Sequence, residues 1–213
     1  MIVHKRAAPV ERLEFLVSMI IEPITLTGEL VRLEPMTMSH LDHLAAIATE
    51  TSIWKYAPEK VDDREKMGRY IDQALKEQVS GKSLPFITKL SETGEIVGPT
   101  RFGNIDPSYL KAEIGWTWIA PKWQRSFVNT EAKFLMLAHA FEVWKCIRVE
   151  FKTDATNLRS RNAILRLGAV EEGTLRQHMI TETGRFRDSV YFSILDKEWT
   201  SVKERLQDKL WKN

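Results

Sequence analysis

Disulfide bonds, membrane spans and a strongly basic surface are all missing from this sequence. Its single cysteine, Cys146, cannot form an internal disulfide, which fits the reducing conditions of the cytoplasm. No apolar stretch reaches the roughly 18 residues that span a bilayer, so a membrane partner is not expected. Lysine and arginine number 31 against 29 acidic residues, and this near balance gives no reason to expect a nucleic acid partner.

Sequence signals for several other kinds of chemistry are also absent. There is no glycine-rich phosphate-binding run of a nucleotide enzyme and no Gly-x-Ser-x-Gly sequence of a hydrolase. His40 and His43 have no matching Cys/His pair elsewhere, so we expect no metal site. Metal-dependent, nucleotide-dependent and serine-hydrolase chemistry are therefore not expected.

What is present suits one globular domain. Hydrophobic residues make up 43% of the 213 residues and charged residues 28%, which is ordinary for a globular protein. We expect an N-terminal extension over residues 1–23, the main domain over 24–200 and the end of a C-terminal helix over 201–213. The N-terminus superficially resembles a signal peptide, but acidic residues interrupt its apolar run. We expect residues 1–18 to be an extension, with Met19 as a candidate initiator.

Periodicity predicts a mixed α and β domain. Alternating or continuous apolar residues predict strands over 24–34, 84–90, 95–102, 111–119, 147–153, 170–179 and 187–195. Helical spacing predicts helices from 37 or 39 to 51, then over 62–79, 130–144, 157–167 and 197–211. In helix 130–144 the predicted buried stripe is Phe134, Leu137, Ala138 and Phe141. The order indicates an α+β fold, with helices flanking a twisted, mostly antiparallel sheet.

The stretch from 113 to 168 carries the most chemical information. It contains a predicted strand, a polar turn over 121–130, a helix, a second strand and a short helix led by Asn157. A turn between a strand and a helix N-terminus presents free backbone N–H groups and the positive end of the helix dipole. Such a turn is suited to holding phosphate.

The order and spacing of several motifs resemble the GNAT superfamily of N-acetyltransferases, and most closely its RimJ/RimL-like branch. The resemblance covers about residues 26–199. The motifs are Glu113-Ile114-Gly115-Trp116-Thr117-Trp118-Ile119, the Gln124 loop, Asn157-x-x-Ser160, Gly168, and the tail from Glu172-Gly173 to Trp199. The resemblance implies a GNAT fold in which two parallel strands splay apart, with acetyl-CoA as co-substrate. It also implies a primary amine as acceptor, from a protein N-terminus or a small molecule, and by analogy a homodimer.

The same resemblance assigns the residues around acetyl-CoA. The backbone of Trp118, Ile119 and Ala120 would pair with the pantetheine arm. The phosphates and the rest of the arm would contact Gln124, Arg125, Ser126, Phe127, Val128, Asn129, Thr130 and Asn157. Phe127 departs from the family pattern, which has glycine at this position. Either its φ is negative and the ring points outward, or the cofactor site is impaired.

Catalytic residues are less clearly marked. Ile164 stands where many family members have a tyrosine that protonates the departing thiolate, so the acid role would pass to Ser160. Met179 stands where some RimL-like members have a glutamate base, leaving Glu113 and His178 as candidates. The acceptor would contact Trp54, Tyr56, Trp116, Arg176 and Tyr191, although each aromatic residue taken singly is better explained as part of the core.

Two functions remain open at this point. The first is an active acetyl-CoA-dependent N-acetyltransferase, which Gln124, Asn157 and Ser160 favour. The second is a non-catalytic acyl-CoA-binding or dimerisation module with the same fold, which Phe127 and Ile164 favour. Turnover of the thioester with mixed amines would distinguish them.

Overall fold

An eight-stranded sheet organises residues 19–212, the part of the chain that the computed structural model describes. Predictions that concern residues 1–18 and 213 lie outside this part. The sheet order is β1-β2-β3-β4-β5-β6-β8-β7, and β5 with β6 is the parallel pair among antiparallel neighbours. The strands are β1 Leu26–Thr27, β2 Val31–Pro35, β3 Leu84–Leu90, β4 Ile96–Asp106, β5 Lys111–Gly115, β6 Arg148–Asp154, β7 Val170–Ile180 and β8 Phe186–Leu195. The predicted mixed fold with a mostly antiparallel sheet is confirmed.

Helices cover both faces of the sheet. They are α1 Leu41–Ala48, α2 Arg64–Val79, α3 Phe127–Ala138, α4 Leu158–Leu167 and α5 Asp196–Trp211. A smaller apolar cluster joins α1 and α2 to the sheet, and the main cluster lies under α3, α4 and α5. We name these two sides the α2 face and the α3 face. No helix among residues 19–212 combines the length and apolar character needed to cross a bilayer.

Two predicted strands are interrupted. The strand predicted over 24–34 is divided into β1 and β2 by a turn in which the Gly28 N–H donates to the Val31 carbonyl (2.9 Å). The carboxylate of buried Glu131, on α3, secures this turn by accepting three backbone N–H groups. The strand predicted over 111–119 ends at Gly115, because Trp116 takes a positive φ of 50°.

Helix α3 begins earlier than predicted and packs a partly different set of side chains against the sheet. It starts at Phe127 rather than at residue 130, and a wider helical turn, His139–Val143, continues it. Leu137 and Phe141 are buried as predicted, whereas Phe134 and Ala138 are only partly buried. The remaining core side of α3 is formed by Val128, Ala132 and Met136. Phe134 instead packs on Trp199 and Trp211 of α5, at ring-centre distances of 6.2 and 5.3 Å.

Both ends of the described chain pack on this domain. Trp199, Val202 and Leu206 are buried, so the apolar stripe predicted on the C-terminal helix is used within the domain. The proposed boundary at residue 200 falls inside α5. Met19 is only 6% exposed and belongs to the main core, and the Trp144 indole donates to the Ile20 carbonyl (2.9 Å).

Candidate functional site

The parallel strands β5 and β6 part at their carboxyl ends. Their ladder runs only from Lys111 with Arg148 to Glu113 with Glu150. Beyond it, β5 stays with β4 and β6 stays with β8. We name the gap between residues 116–120 and residues 154–157 the strand cleft. An open ladder of this kind can receive an extended ligand as an added strand.

The first wall of the strand cleft is held against β4. The Ala120 N–H donates to the Val97 carbonyl (2.8 Å), and the Ala120 carbonyl accepts from Trp123. Gly98 permits this contact, since a Cβ atom there would lie 2.1 Å from the Trp118 carbonyl oxygen. Both backbone groups of Ala120, one of the residues expected to pair with the pantetheine arm, thus already have hydrogen-bond partners within the protein. Within residues 19–212, the N–H groups of Trp118 and Ile119 have no acceptor.

The N-terminus of α3 lies at the mouth of the strand cleft. Ser126 is the N-cap, and its hydroxyl accepts from the Val128 N–H (3.3 Å). The positive φ of the turn, 65°, falls on Arg125. Phe127 is the first helical residue, and its partly buried ring meets Trp123 edge-on at 6.2 Å. Phe127 therefore needs no left-handed backbone, which supports the first of the two alternatives, although its ring packs on the core rather than pointing outward.

Residues 127–130 are helical, so the predicted ten-residue turn is shorter than expected. Val128 is fully buried in the main core, and only its backbone can face a ligand. Asn129 and Thr130 are partly buried. Within the described residues, the N–H groups of Arg125 and Ser126 have no acceptor, and that of Phe127 has no intrahelical partner. These donors and the helix dipole favour an anion at this point.

A hydrogen-bonded bridge connects the two walls. Gln124 donates through Nε2 to the Ile119 carbonyl (2.8 Å) and accepts through Oε1 from Arg159 on α4 (2.7 Å). No carboxylate among residues 19–212 lies within 4 Å of the Arg159 or Arg125 guanidinium. Within the described part of the chain, the mouth of the strand cleft thus has two cationic side chains without an acidic partner.

The second wall is the start of α4. Asn157 is the N-cap, and its side-chain oxygen accepts from the Ser160 N–H (3.0 Å). That oxygen therefore performs the capping role, and the side-chain amide nitrogen is left for other contacts. Ser160 is partly buried, and its hydroxyl has no hydrogen-bond partner in the described part of the chain. Ile164 points into the main core with 8% exposure.

A row of polar side chains crosses the α2 face below the strand cleft. Glu113 is 3% exposed, accepts from the Asn104 amide (2.8 Å) and lies 3.6 Å from the Lys152 amine. Lys152 lies over the Tyr191 ring at 5.7 Å, and Tyr191 meets the His178 ring at 5.7 Å. The structure thus brings Glu113, His178 and Tyr191 together, whereas Ser160 belongs to α4 on the α3 face.

Among the other predicted acceptor contacts, Trp54 lies in the core, whereas Trp116, Tyr56 and Arg176 are exposed or only partly buried. Trp54 is a core residue: it donates to the Ala48 carbonyl (2.8 Å) and its ring meets Trp118 edge-on at 5.4 Å. Trp116 is 36% exposed and stacks on Arg101 at 4.4 Å. Tyr56 is partly buried. Arg176 is exposed on edge strand β7.

Lys133 was missed by sequence reasoning. It lies on α3, is 5% exposed, and donates to the hydroxyls of Thr117 (2.6 Å) and Thr100 (2.8 Å). Burial lowers the pKa of the Lys133 amine to about 7. The available signal was a lysine next to Ala132 on a helix whose neighbouring turns are apolar. Asn104 and Lys152, the partners of Glu113, carried no sequence signal.

Metal ligands are not grouped in this region. Among residues 19–212 there is no set of three or more His, Cys, Asp or Glu side chains arranged to hold a metal ion. The chemistry available here is that of an anion site, a cleft with free backbone donors, and acid–base side chains on both faces.

Known proteins are similar to this chain in sequence and in fold. Residues 31–170, more than half of the chain, match the family described as Acetyltransferase (GNAT) domain. YdaF of Bacillus subtilis (strain 168), a candidate ribosomal N-acetyltransferase, is 34% identical over 110 residues, which are 52% of this chain and 59% of YdaF. The chain therefore spans about three fifths of the length of this curated relative.

Solved structures show the same likeness over most of the chain. A GCN5-related N-acetyltransferase from Brucella melitensis has a TM-score of 0.82 and 32% identity, covering 89% of this chain and 86% of that one. RimJ of Mycobacterium smegmatis, solved in complex with CoA-disulfide, has a TM-score of 0.77 and 25% identity, covering 89% and 96%.

Proposed function

Because the chain belongs to the GNAT family of acetyltransferases and its relatives include members of the RimJ/RimL-like branch, we propose that it is an acetyl-CoA-dependent N-acetyltransferase. The acceptor is a primary amine, from a protein N-terminus or a small molecule. The observation that carries this proposal is the strand cleft with the N-terminus of α3 at its mouth. The bound co-substrate would supply an acetyl group on a thioester.

The residues present fit that co-substrate. The free N–H groups of Arg125, Ser126 and Phe127 suit a pyrophosphate at a helix N-terminus, and Arg159 adds positive charge beside them. The free N–H groups of Trp118 and Ile119 suit the amide carbonyls of a pantetheine arm. RimJ of M. smegmatis, which shares this fold, was solved with a CoA-disulfide.

The alternative of a non-catalytic module loses one of its two supports. It required a strained backbone at Phe127, and this residue is helical instead. Ile164 still cannot donate a proton, but it is a core residue in this fold. The polar row on the α2 face supports catalysis, because it offers Glu113 and His178 as candidate acid–base groups.

Glu113 is our candidate for the base that receives the proton of the acceptor amine. It lies on the α2 face, where Asn104 and Lys152 orient its carboxylate. His178, hydrogen-bonded to Ser189 (3.0 Å), is the second candidate. An N-terminal α-amine has a pKa of about 8, lower than the roughly 10.4 of lysine, and so needs less help to become neutral.

We assign acceptor selectivity to side chains that are exposed or partly buried on the α2 face. Trp116, Tyr56 and Tyr191 offer aromatic surface, and Arg176 extends the region along β7. The tip of the β7–β8 hairpin approaches from the other side, where the Glu182 N–H donates to the Pro58 carbonyl (2.9 Å). The name of YdaF refers to a ribosomal N-acetyltransferase, and RimJ is a member of the RimJ/RimL-like branch. A protein N-terminus is therefore the acceptor to test first.

The remaining expectations form part of the proposal. They are a cytoplasmic protein, a main domain over 24–200, and a homodimer. Strand β7 supports the homodimer, because it is the exposed edge of the sheet and carries apolar side chains.

Binding and turnover test the proposal separately. Calorimetric titration with acetyl-CoA and with CoA should show saturable binding, and released thiol should rise when peptides or small amines are added. Glu113→Gln should keep the binding and lower the turnover by roughly 10²-fold or more, as expected for a lost general base. Absence of binding at millimolar co-substrate would overturn the enzyme assignment.

A further inference from the structure

Lys133 is a buried cation without a charged partner. No carboxylate among residues 19–212 lies within 4 Å of its amine, and its two contacts are neutral hydroxyls. An unpaired ammonium in the core is costly, and an apolar residue of similar size would stabilise the fold. Such a residue calls for a role that an apolar side chain could not fill.

Three elements meet at this amine. Lys133 is on α3, Thr100 is on β4, and Thr117 is in the first wall of the strand cleft, directly after the left-handed Trp116. The Thr100 and Thr117 hydroxyls are 2.8 Å apart, so all three side chains form one hydrogen-bonded set. Thr117 is exposed whereas Lys133 is buried. The set therefore connects a buried amine, which can hold a proton, to the strand cleft.

The set lies on the α3 face, opposite Glu113. Thr100 faces α3 through its contact with Met136 (3.6 Å), while its neighbour Arg101 faces α2 and pairs with Glu77 (3.0 Å). An amine entering from the α2 face and a thiol leaving toward the α3 face would thus meet different side chains. This division is what a transfer reaction with separate base and acid requires.

We propose that the Thr117 hydroxyl protonates the departing CoA thiolate and that Lys133, acting through Thr117, is the positioning residue that resupplies the proton. The inference rests on the proposed function. As the amine nitrogen bonds to the acetyl carbon, the carbon–sulfur bond breaks and its electron pair stays on sulfur. The amine nitrogen gives its excess proton to Glu113. Sulfur takes the Thr117 proton, which otherwise is donated to the Gly115 carbonyl (3.2 Å). Thr117 takes a proton from the Lys133 ammonium, and the neutral Lys133 regains one from solvent.

Other charged groups near the set are already engaged or distant. Glu131 on α3 is bonded to the β1–β2 turn, and His139, directly after α3, meets the Trp144 ring edge-on at 4.8 Å. On the sheet, Arg101 and Glu113 lie on the α2 face. Burial is accordingly what lowers the pKa of Lys133, and at about 7 the amine can both give and regain a proton near neutral pH.

The first test measures turnover with an acyl hydrazide as acceptor. Because an acyl hydrazide stays neutral across the pH range, the pH dependence of kcat then reports on protonation of the departing thiolate. Lys133→Met and Thr117→Val should lower kcat by about 10-fold or more, with the KM for acetyl-CoA unchanged. The fall of kcat above pH 7 in the parent enzyme should disappear in Lys133→Met. Thr117→Ser should restore activity. Ser160→Ala tests the competing acid, and Ser201→Ala, at an exposed position on α5, is the control with little effect.

A measurement without co-substrate accompanies these assays. NMR of the free protein with ¹³C-labelled lysine should show one amine with a midpoint near pH 7, absent from Lys133→Met and from Lys133→Arg. A midpoint near 10, or kcat and pH profile unchanged in both Lys133 variants, would overturn the inference. So would loss of activity in Ser160→Ala alone. A parent enzyme that binds acetyl-CoA but acetylates no amine would remove the proposed function and this inference together.

Discussion

Lys133 should destabilise the fold whenever it must carry a proton. Its pKa is about 7 in the folded protein against 10.5 for an ordinary lysine, so the unfolded chain holds more protons between these values. By linkage, the free-energy cost of the charged Lys133 is largest below pH 7 and falls to zero as the pH rises toward 10.5. Urea denaturation at several pH values should show Lys133→Met more stable than the parent by a few kcal/mol (order of magnitude) at acid pH. The difference should shrink in alkali; a constant difference would contradict the linkage.

Gly103 should be intolerant of even one methyl group. A Cβ there would lie 2.2 Å from the Trp116 ring, so Gly103→Ala must displace Trp116 from its place on Arg101. We expect a raised acceptor KM with little change in the affinity for acetyl-CoA, measured by steady-state kinetics and calorimetry.

Gly68 on α2 provides the matched control. Nothing lies within 4 Å of a Cβ built there, and alanine is favoured over glycine inside a helix by about 0.5–1 kcal/mol. Gly68→Ala should therefore raise stability slightly and leave kinetics unchanged. Equal effects of the two substitutions would show that Trp116 does not contact the acceptor.

At the residue scale, sequence could identify candidates but not their environments. Glu113 and Gln124 were found because they match a family pattern. Lys133 was not found, since nothing in the sequence says that its helix presents this position to two threonines 16 and 33 residues away in the chain. The two interpretations of Phe127 could be separated only when the start of α3 was known, because a residue in the first turn of a helix has a negative φ.

Among the elements, α3 is the one whose first turn we propose as the anion-binding part of the site. Ser126 caps it by accepting from Val128 and donates to the Trp123 carbonyl (2.6 Å). Ser126→Ala should lower stability by about 1 kcal/mol, as for other N-caps, and weaken acetyl-CoA binding because the N–H groups lose their fixed direction. Denaturation and calorimetry measure both. Ser201→Ala, at an exposed position inside α5, should affect neither binding nor the N-terminal turn of α3.

Strands and helices were predicted well where their apolar pattern is regular, and less well where backbone geometry decides. Strand β3 matches its prediction, and α4 matches within one residue. The end of β5 was missed, because the left-handed Trp116 leaves the apolar pattern of residues 114–119 intact. The start of α3 was missed because a serine N-cap was read as part of a loop.

For the whole molecule, the open edge of the sheet is the feature that association should cover. Val170, Leu175 and Ile180 on the edge strand β7 are 54%, 49% and 67% exposed, and Phe186, which pairs with Ile180 at the start of β8, is 60% exposed. A long apolar edge is prone to pair with another chain, here a second copy. Sedimentation analysis should give a dimer, and Leu175→Lys with Ile180→Lys should give a monomer. Val79→Lys, at an 89% exposed position on α2, should leave the dimer intact; a monomeric parent would reject this assembly.

The bridge across the mouth of the strand cleft has a consequence for how affinity is measured. Arg159 is held there by Gln124, a neutral amide, so its charge is left for whatever anion arrives. Small anions in the buffer, such as sulfate or inorganic phosphate, would occupy the same place and compete with the pyrophosphate. Ionic strength would also screen the attraction, with a Debye length of about 8 Å at physiological salt. The dissociation constant for acetyl-CoA should therefore depend on buffer composition far more than the constant for a neutral acceptor does.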